Sequence, residues 1–212
     1  MKNQCIICDF DGTITEKDGL YSFIELYAQD GWEDIEQLWI DGKISSKECL
    51  TEEFKLVKNL SESLVNNFVE TLNIDKYFKD FYSEITAQNI DLYIVSDGID
   101  YFINRILKRY NLEKINVISN HGEFKNGNFI LTFPNDYSSC KNNAGTCKCK
   151  VLSDLRQQYN KIIYIGDGAS DYCVCNKADV LYAKSSLKEF CKKNQIQFLP
   201  FCSFKDILMS FK

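Results

Sequence analysis

Proline is almost missing from this chain of 212 residues, which holds two, Pro134 and Pro200, and so leaves little room for an extended linker. Histidine occurs once. His121 falls near an expected hairpin and is read as a surface residue without a role, while Trp32 and Trp39 are read as packing residues. An excess of basic residues is also absent: 25 Lys and Arg stand against 30 Asp and Glu, a net charge of -5, with the basic residues scattered among acids. That excludes the electrostatic footprint of a nucleic-acid or anionic-lipid partner. No apolar run reaches the length of a membrane span, and Met1-Lys2-Asn3-Gln4 passes directly into a short apolar run ending at Asp9, which is neither a signal peptide nor a span. A cytoplasmic protein is expected, with no nucleic acid, no membrane and no protein partner.

What remains is an ordinary globular composition, 45% hydrophobic and 26% charged, enough for one packed core with a smaller insertion. Ten cysteines would mean disulfides in a secreted protein; without an export signal they are expected as reduced thiols, mostly small core residues. Cys140, Cys147 and Cys149 form a tight group but lack the paired C-x-x-C spacing of common structural zinc sites. Zinc is therefore the minor reading there.

Residues Cys5 to Phe10 form an apolar run of strand length that stops at an aspartate cluster, as a strand buried on both faces would. From Leu20 the period changes to i, i+3, i+4, i+7 (Leu20, Phe23, Ile24, Tyr27), and helix and turn are expected to about residue 75. Strand character returns at Ile90 to Val95, then Ser96-Asp97-Gly98 leads into an amphipathic helix marked by Phe102, Ile103, Ile106 and Leu107. Ile115 to Ile118 is another short apolar run. Asn126-Gly127 between two apolar segments signals a hairpin. A helix from about Lys150 to Tyr159, a strand at Ile162 to Ile165, a Gly-Asp-Gly turn and a last strand near Val180 to Tyr182 complete the pattern. Alternating strands and helices predict an α/β fold: a three-layer, Rossmann-like parallel sheet whose ligand crevice lies at the carboxyl ends of the strands. The catalytic core is expected over 1–14 and 76–212, with a small helical cap over 15–75.

The polar clusters fall at those strand ends. Asp9 and Asp11 lie at i and i+2, so both can point to one crevice, and Gly166-Asp167-Gly168-Ala169-Ser170-Asp171 supplies a second acidic pair. Two carboxylates ~5 Å apart repel by ~3 kcal/mol at an effective dielectric of about 20, so a pocket holding several needs a cation. Magnesium, with hard oxygen ligands and coordination positions left for phosphate, is the cofactor expected. Phosphoryl transfer needs a nucleophile, neutralisation of the phosphate oxygens and a proton donor. Asp9 is assigned the first task and Asp11 the last, switching to base for hydrolysis of the aspartyl-phosphate. Phosphate is expected to meet Thr13, the Ser96 hydroxyl, the following groups of Asp97 and Gly98 at a helix start, and the Lys150 ammonium.

The ordered set Asp9-x-Asp11-Gly12-Thr13, Ser96, Lys150 and Gly166-Asp167-Gly168-x-x-Asp171 resembles the four motifs of haloacid dehalogenase-type phosphatases. The resemblance implies a nucleophile at Asp9, an acid/base at Asp11, phosphate contacts from Thr13, Ser96 and Lys150, and magnesium on Asp9, Asp167 and the Asp11 carbonyl. Asp171 would support the metal or Lys150, which places Asp9, Asp11, Asp167 and Asp171 in the metal set. The insertion after the first motif resembles the small cap of the subclass that includes phosphoserine phosphatase. A narrower likeness, through Asp9 to Asp18, Asp41 to Ser45, Ser96 to Phe102, Cys147 to Lys150 and Phe190 to Pro200, is to the methionine-salvage branch acting on 2-hydroxy-3-keto-5-methylthiopentenyl-1-phosphate. Ser96-Asp97-Gly98 departs from the Ser-Gly-Gly of that branch and is similar to phosphoethanolamine/phosphocholine-type phosphatases. The expected substrate is accordingly a small phosphorylated metabolite of one of these kinds. A receiver domain that accepts phosphate without turnover is the rival of another class, opposed by the insertion of about sixty residues.

Overall fold

The computed structural model describes residues 2–140 and 142–211. The first apolar run becomes β1 (Lys2–Cys8), and its alternate side chains enter opposite cores: Ile6 and Cys8 one, Cys5 and Ile7 the other. Burial on both faces puts this strand in the middle of the sheet. It pairs in parallel with β2 (Asp91–Ile99) on one side and β5 (Tyr159–Gly166) on the other. Beyond β2 lie β3 (Asn116–Lys125) and β4 (Asn128–Thr132); beyond β5 lie β6 (Val180–Ala183) and β7 (Leu199–Pro200). All neighbours are parallel except the β3–β4 hairpin, where Asn126 and Gly127 both take the positive φ its turn demands. The order β4-β3-β2-β1-β5-β6-β7 makes the chain leave β1 in opposite directions, so a crevice opens at the carboxyl end of β1.

Helices α1 (Gly19–Tyr27), α2 (Trp32–Ile40), α3 (Ser46–Leu56) and α4 (Glu62–Val69) lie between β1 and β2, followed by α5 (Phe78–Ala87). The other helices are α6 (Asp100–Arg109), α7 (Lys148–Leu155), α8 (Ser185–Lys193) and α9 (Phe204–Leu208). Apolar faces of α5, α6 and α9 cover one side of the sheet; Leu152 and Leu155 of α7 and Leu187 and Cys191 of α8 cover the other. The result is the three-layer α/β arrangement read from the sequence. Among the described residues no helix is long and apolar enough to cross a membrane.

The insertion α1–α4 is entered and left by adjacent strands of chain: Thr15 bridges Ile74, and the Asp75 N–H donates to the Ile14 carbonyl. Its apolar side chains join the same cluster as one sheet face. Phe23 meets Phe102 of α6 edge to face at 5.2 Å, and Phe54 stacks on Phe129 of β4 at 5.3 Å. Phe102→Ala is expected to cost about 3–5 kcal/mol, read as a lower urea midpoint, because it opens a cavity where insertion and core meet. A loss under about 1 kcal/mol would show that the two parts do not stabilise each other.

Boundaries differ from the sequence reading at three places: a further strand, β7, follows the one expected to be last, α7 begins at Lys148, and β2 runs on past Val95. Pairing shifts between Val95↔Ile118 and Ile99↔Asn120, so β2 carries two extra residues there and continues to Ile99. Ser96-Asp97-Gly98 is thus a bulge near the carboxyl end of an interior strand. It is not the start of α6, which begins at Asp100.

Candidate active site

Three strand ends deliver side chains to one cavity of about 170 Å³: Asp9 and Asp11 after β1, Ser96 at the end of β2, and Asp167 after β5. Asp9 is fixed where β1 and β5 part, its N–H donating to the Ile165 carbonyl at 2.9 Å. Among the described residues, Asp9, Asp167 and Asp171 bring carboxylate oxygens within 4.8 Å of one another. The separate aspartate motifs therefore meet.

The cation among them is Lys148, which the sequence reading passed over. Its side chain is 2% exposed, and Nζ lies 2.8 Å from Asp9 Oδ1, 2.6 Å from Asp171 Oδ1 and 2.8 Å from Ser170 Oγ. Burial alone would lower the lysine pKa, but Asp171 and Asp9 outweigh it and hold the ammonium form. Burial in turn pushes the Asp9 carboxyl well above its ordinary value, opposed by Lys148. Lys150 instead pairs with Asp154 one turn on, 42% exposed, and does not reach the cavity. The reason is helix phase: α7 starts at residue 148, and Lys148, Leu152 and Leu155 share its buried face. That 4-3 spacing was the available signal.

Asp171 belongs to the three-aspartate group, and its oxygens also take other partners. Oδ1 accepts from Lys148 and from the Tyr164 hydroxyl, and Oδ2 accepts the Asp167 and Gly168 N–H groups at 3.0 and 3.1 Å. Four donors occupy it, so it holds Lys148 and the turn. Thr13 is fully buried and donates to Asp167 Oδ1 at 2.6 Å; its hydroxyl orients that carboxylate and does not face the cavity as a phosphate contact. Asp97 lines the cavity, and its side-chain Oδ1 accepts the Thr146 N–H and the Asn120 amide, tethering the loop before α7; its backbone N–H, the group expected to meet phosphate, takes no part in those bonds.

Asp11 points elsewhere than the three-aspartate group, accepting the Gly19 N–H at 3.0 Å where α1 begins. Burial and then the nearby Asp18 push its carboxyl up to about 8, which keeps it protonated and able to donate at neutral pH. Ser96 Oγ accepts the Gly98 N–H at 2.9 Å at the cavity wall. A side chain on Gly98 would meet Asp11 Oδ2 at 2.5 Å, and one on Gly12, at φ +71, would meet Asp167 Oδ2 at 2.6 Å. Gly98→Ala is therefore expected to lower kcat about 10²-fold by displacing the Asp11 carboxyl, with a native circular dichroism spectrum. An unchanged kcat would show that Asp11 is free to move without consequence.

The donor set suits a magnesium ion. Asp9 and Asp167 offer hard oxygens to the cavity, and burial raises Asp167 to about 6 despite the Thr13 hydrogen bond. Cys140, Cys147 and Cys149 form no such group: among the described residues the combinations close enough to hold a metal are the aspartates and Glu36–Cys49–Glu53. Cys147 is buried beside the start of α7, and the Cys149 thiol donates to the Cys173 carbonyl. Sequence reading also missed Glu36, Glu53 and Trp39, carried to the cavity by α2 and α3.

Comparison with known proteins agrees with this geometry. The family described as Putative Phosphatase matches residues 4–198. A 2-hydroxy-3-keto-5-methylthiopentenyl-1-phosphate phosphatase from Bacillus thuringiensis (strain Al Hakam) is 29% identical over 209 residues, 98% of this chain and 95% of that protein. Among solved structures, a haloacid dehalogenase family hydrolase from Salmonella enterica serovar Typhi superposes with a TM-score of 0.77 at 22% identity, over 98% of this chain and 70% of that one. The phospho-aspartyl intermediate analogue of a phosphoserine phosphatase gives 0.73 at 18% identity over the whole of both chains. With its motifs gathered at one crevice and the family matched over nearly its full length, the chain belongs to the family described as Putative Phosphatase.

Proposed function

We propose that this phosphatase hydrolyses a small phosphomonoester through an aspartyl-phosphate on Asp9, under a helical cap formed by residues 15–75. The observation that supports this best is the buried Lys148 bridging Asp171 to Asp9, which lines one cavity together with Asp11. Lys148 fixes the rotation of the Asp9 carboxylate and places positive charge beside the entering phosphate. A carboxylate oxygen of Asp9 forms a bond to phosphorus while the bond to the alcohol oxygen breaks. Asp11 gives that oxygen its proton. As a carboxylate, Asp11 then takes a proton from water, whose oxygen attacks the same phosphorus and releases Asp9 and inorganic phosphate.

Magnesium held by Asp9 and Asp167 would neutralise the phosphate oxygens. Ser96 and the backbone of the bulge at the end of β2 would receive those oxygens, and α1–α4 would exclude water while the acyl-phosphate forms. The related Bacillus proteins bring the methylthiopentenyl phosphate into the reading as one substrate to test. The experiment is phosphate release from a panel including that compound, phosphoserine and phosphoethanolamine, with magnesium and then after chelation. Release that stops with chelator and returns with added magnesium is expected; full activity in excess chelator contradicts the metal assignment.

A further inference from the structure

We propose that Asn120 is a positioning residue for the phosphate group: its side-chain amide locks the bulge of β2 to the start of α7, and so sets the groups that receive the phosphate oxygens at a fixed distance from the Lys148 ammonium. The inference rests on the phosphatase reading and adds to that site a residue outside the aspartate motifs. Asn120 lies on β3, is 1% exposed and stands opposite Ile99, where β2 and β3 resume pairing after the bulge. Its Nδ2 donates to the Asp97 carbonyl at 2.6 Å and to Asp97 Oδ1 at 3.2 Å. Its Oδ1 accepts the Thr146 hydroxyl at 3.0 Å, and the Thr146 N–H donates to Asp97 Oδ1 at 2.8 Å. Residues from three separate segments thus close a ring of hydrogen bonds beside the cavity, which Asp97 lines and Asn120 does not.

Each bond of the ring meets a need that the backbone leaves open. Among the described residues, those from 96 to 98 have no register partner on β3, and the Asn120 amide gives the Asp97 carbonyl a donor in place of a ladder N–H. At the other side of the ring, the α7 N-cap, Cys147, makes no side-chain capping bond, so the placement of Lys148 comes from the residues before it. Thr146, 1% exposed, is held by Asp97 and Asn120. The Cys147 N–H donates to the Asn135 carbonyl, and the Asn135 amide donates to the carbonyl of Ser119, the neighbour of Asn120 on β3. Gly145 leaves the ring no slack, since a side-chain carbon there would stand 2.5 Å from Asn120 Oδ1. Two residues past Thr146, Lys148 Nζ lies 2.8 Å from Asp9 Oδ1. A shift of about 1 Å between bulge and lysine is enough to slow phosphoryl transfer about 10²-fold, because both must meet the same phosphate.

The test uses Asn120→Leu, close to asparagine in shape but without donor or acceptor, assayed with magnesium on the ester panel above. It is expected to lower kcat/KM about a hundredfold, by the same factor for every ester that the parent hydrolyses, since Asn120 acts on the phosphate half alone. The inhibition constant of inorganic phosphate is expected to rise about tenfold or more. A merely structural role predicts a different pattern: a smaller folded fraction lowers the apparent kcat and leaves KM and the phosphate inhibition constant at their parental values. Circular dichroism checks folding. Should Asn120→Leu misfold, Thr146→Val, which loses only the hydroxyl bond to Asn120, carries the comparison with an expected rise of about fivefold in the phosphate inhibition constant. A parental phosphate inhibition constant in the folded variant, or a loss confined to one ester, overturns the positioning role and leaves the phosphatase reading intact. If the parent hydrolyses neither the panel nor p-nitrophenyl phosphate, the phosphatase reading fails first and takes the positioning role with it.

Discussion

Replacing Lys148 by methionine is expected to cut phosphate release about a thousandfold or more and to lower stability by about 3–5 kcal/mol, while Lys150→Met changes neither by much. The asymmetry follows from burial. Lys148 neutralises two carboxylates in a site closed to water, so its loss strands Asp9 and Asp171 as buried charges. Lys150 makes an exposed pair with Asp154 along one helix face, an interaction of a few tenths of a kcal/mol. Lys148→Arg, which keeps the charge, separates the two effects: it should fold but place its guanidinium wrongly for Asp9 and remain slow. Steady-state assays and urea melts of the three variants check this. A slow Lys150 variant beside a fast Lys148 variant would return the phosphate contact to Lys150.

The second large effect is expected at Asp9. Asp9→Asn removes the nucleophile but keeps the shape and an oxygen that can accept from Lys148, so turnover should fall about 10⁴-fold with little change in melting temperature. Thermal unfolding and phosphate release on the same sample check it. Activity within about tenfold of the parent would mean that water, or another residue, attacks phosphorus directly.

How much of this could be read from the chain depended on the range of the interactions. The β1 strand and its aspartates were legible because a strand buried on both faces must be apolar throughout and must stop where polar groups begin. The hairpin was legible because Asn126-Gly127 accepts two consecutive positive φ values. Lys148 was missed because α7 begins two residues earlier than its composition suggested, and a shift of two residues turns a helix through more than half a turn. Ser96 was placed at a helix start because a bulge depends on how β2 registers with β3, which no local pattern reports. The roles of Thr13 and Asp171 turned on partners: Thr13 orients a carboxylate 154 residues away, and Asp171 is consumed by four donors. Glu36 and Glu53 sit on different helices, and only the packing of α2 on α3 makes them neighbours.

The most direct test of Asp9 as the site of phosphoryl transfer is covalent trapping. The enzyme is mixed with magnesium and a turning-over phosphomonoester, quenched in acid within the first turnovers, digested, and its peptides weighed. One phosphoryl group on the peptide containing Asp9, absent from Asp9→Asn, is the expected result. Phosphate found on a different side chain, or a protein that stays unlabelled at every time point while inorganic phosphate accumulates, contradicts it.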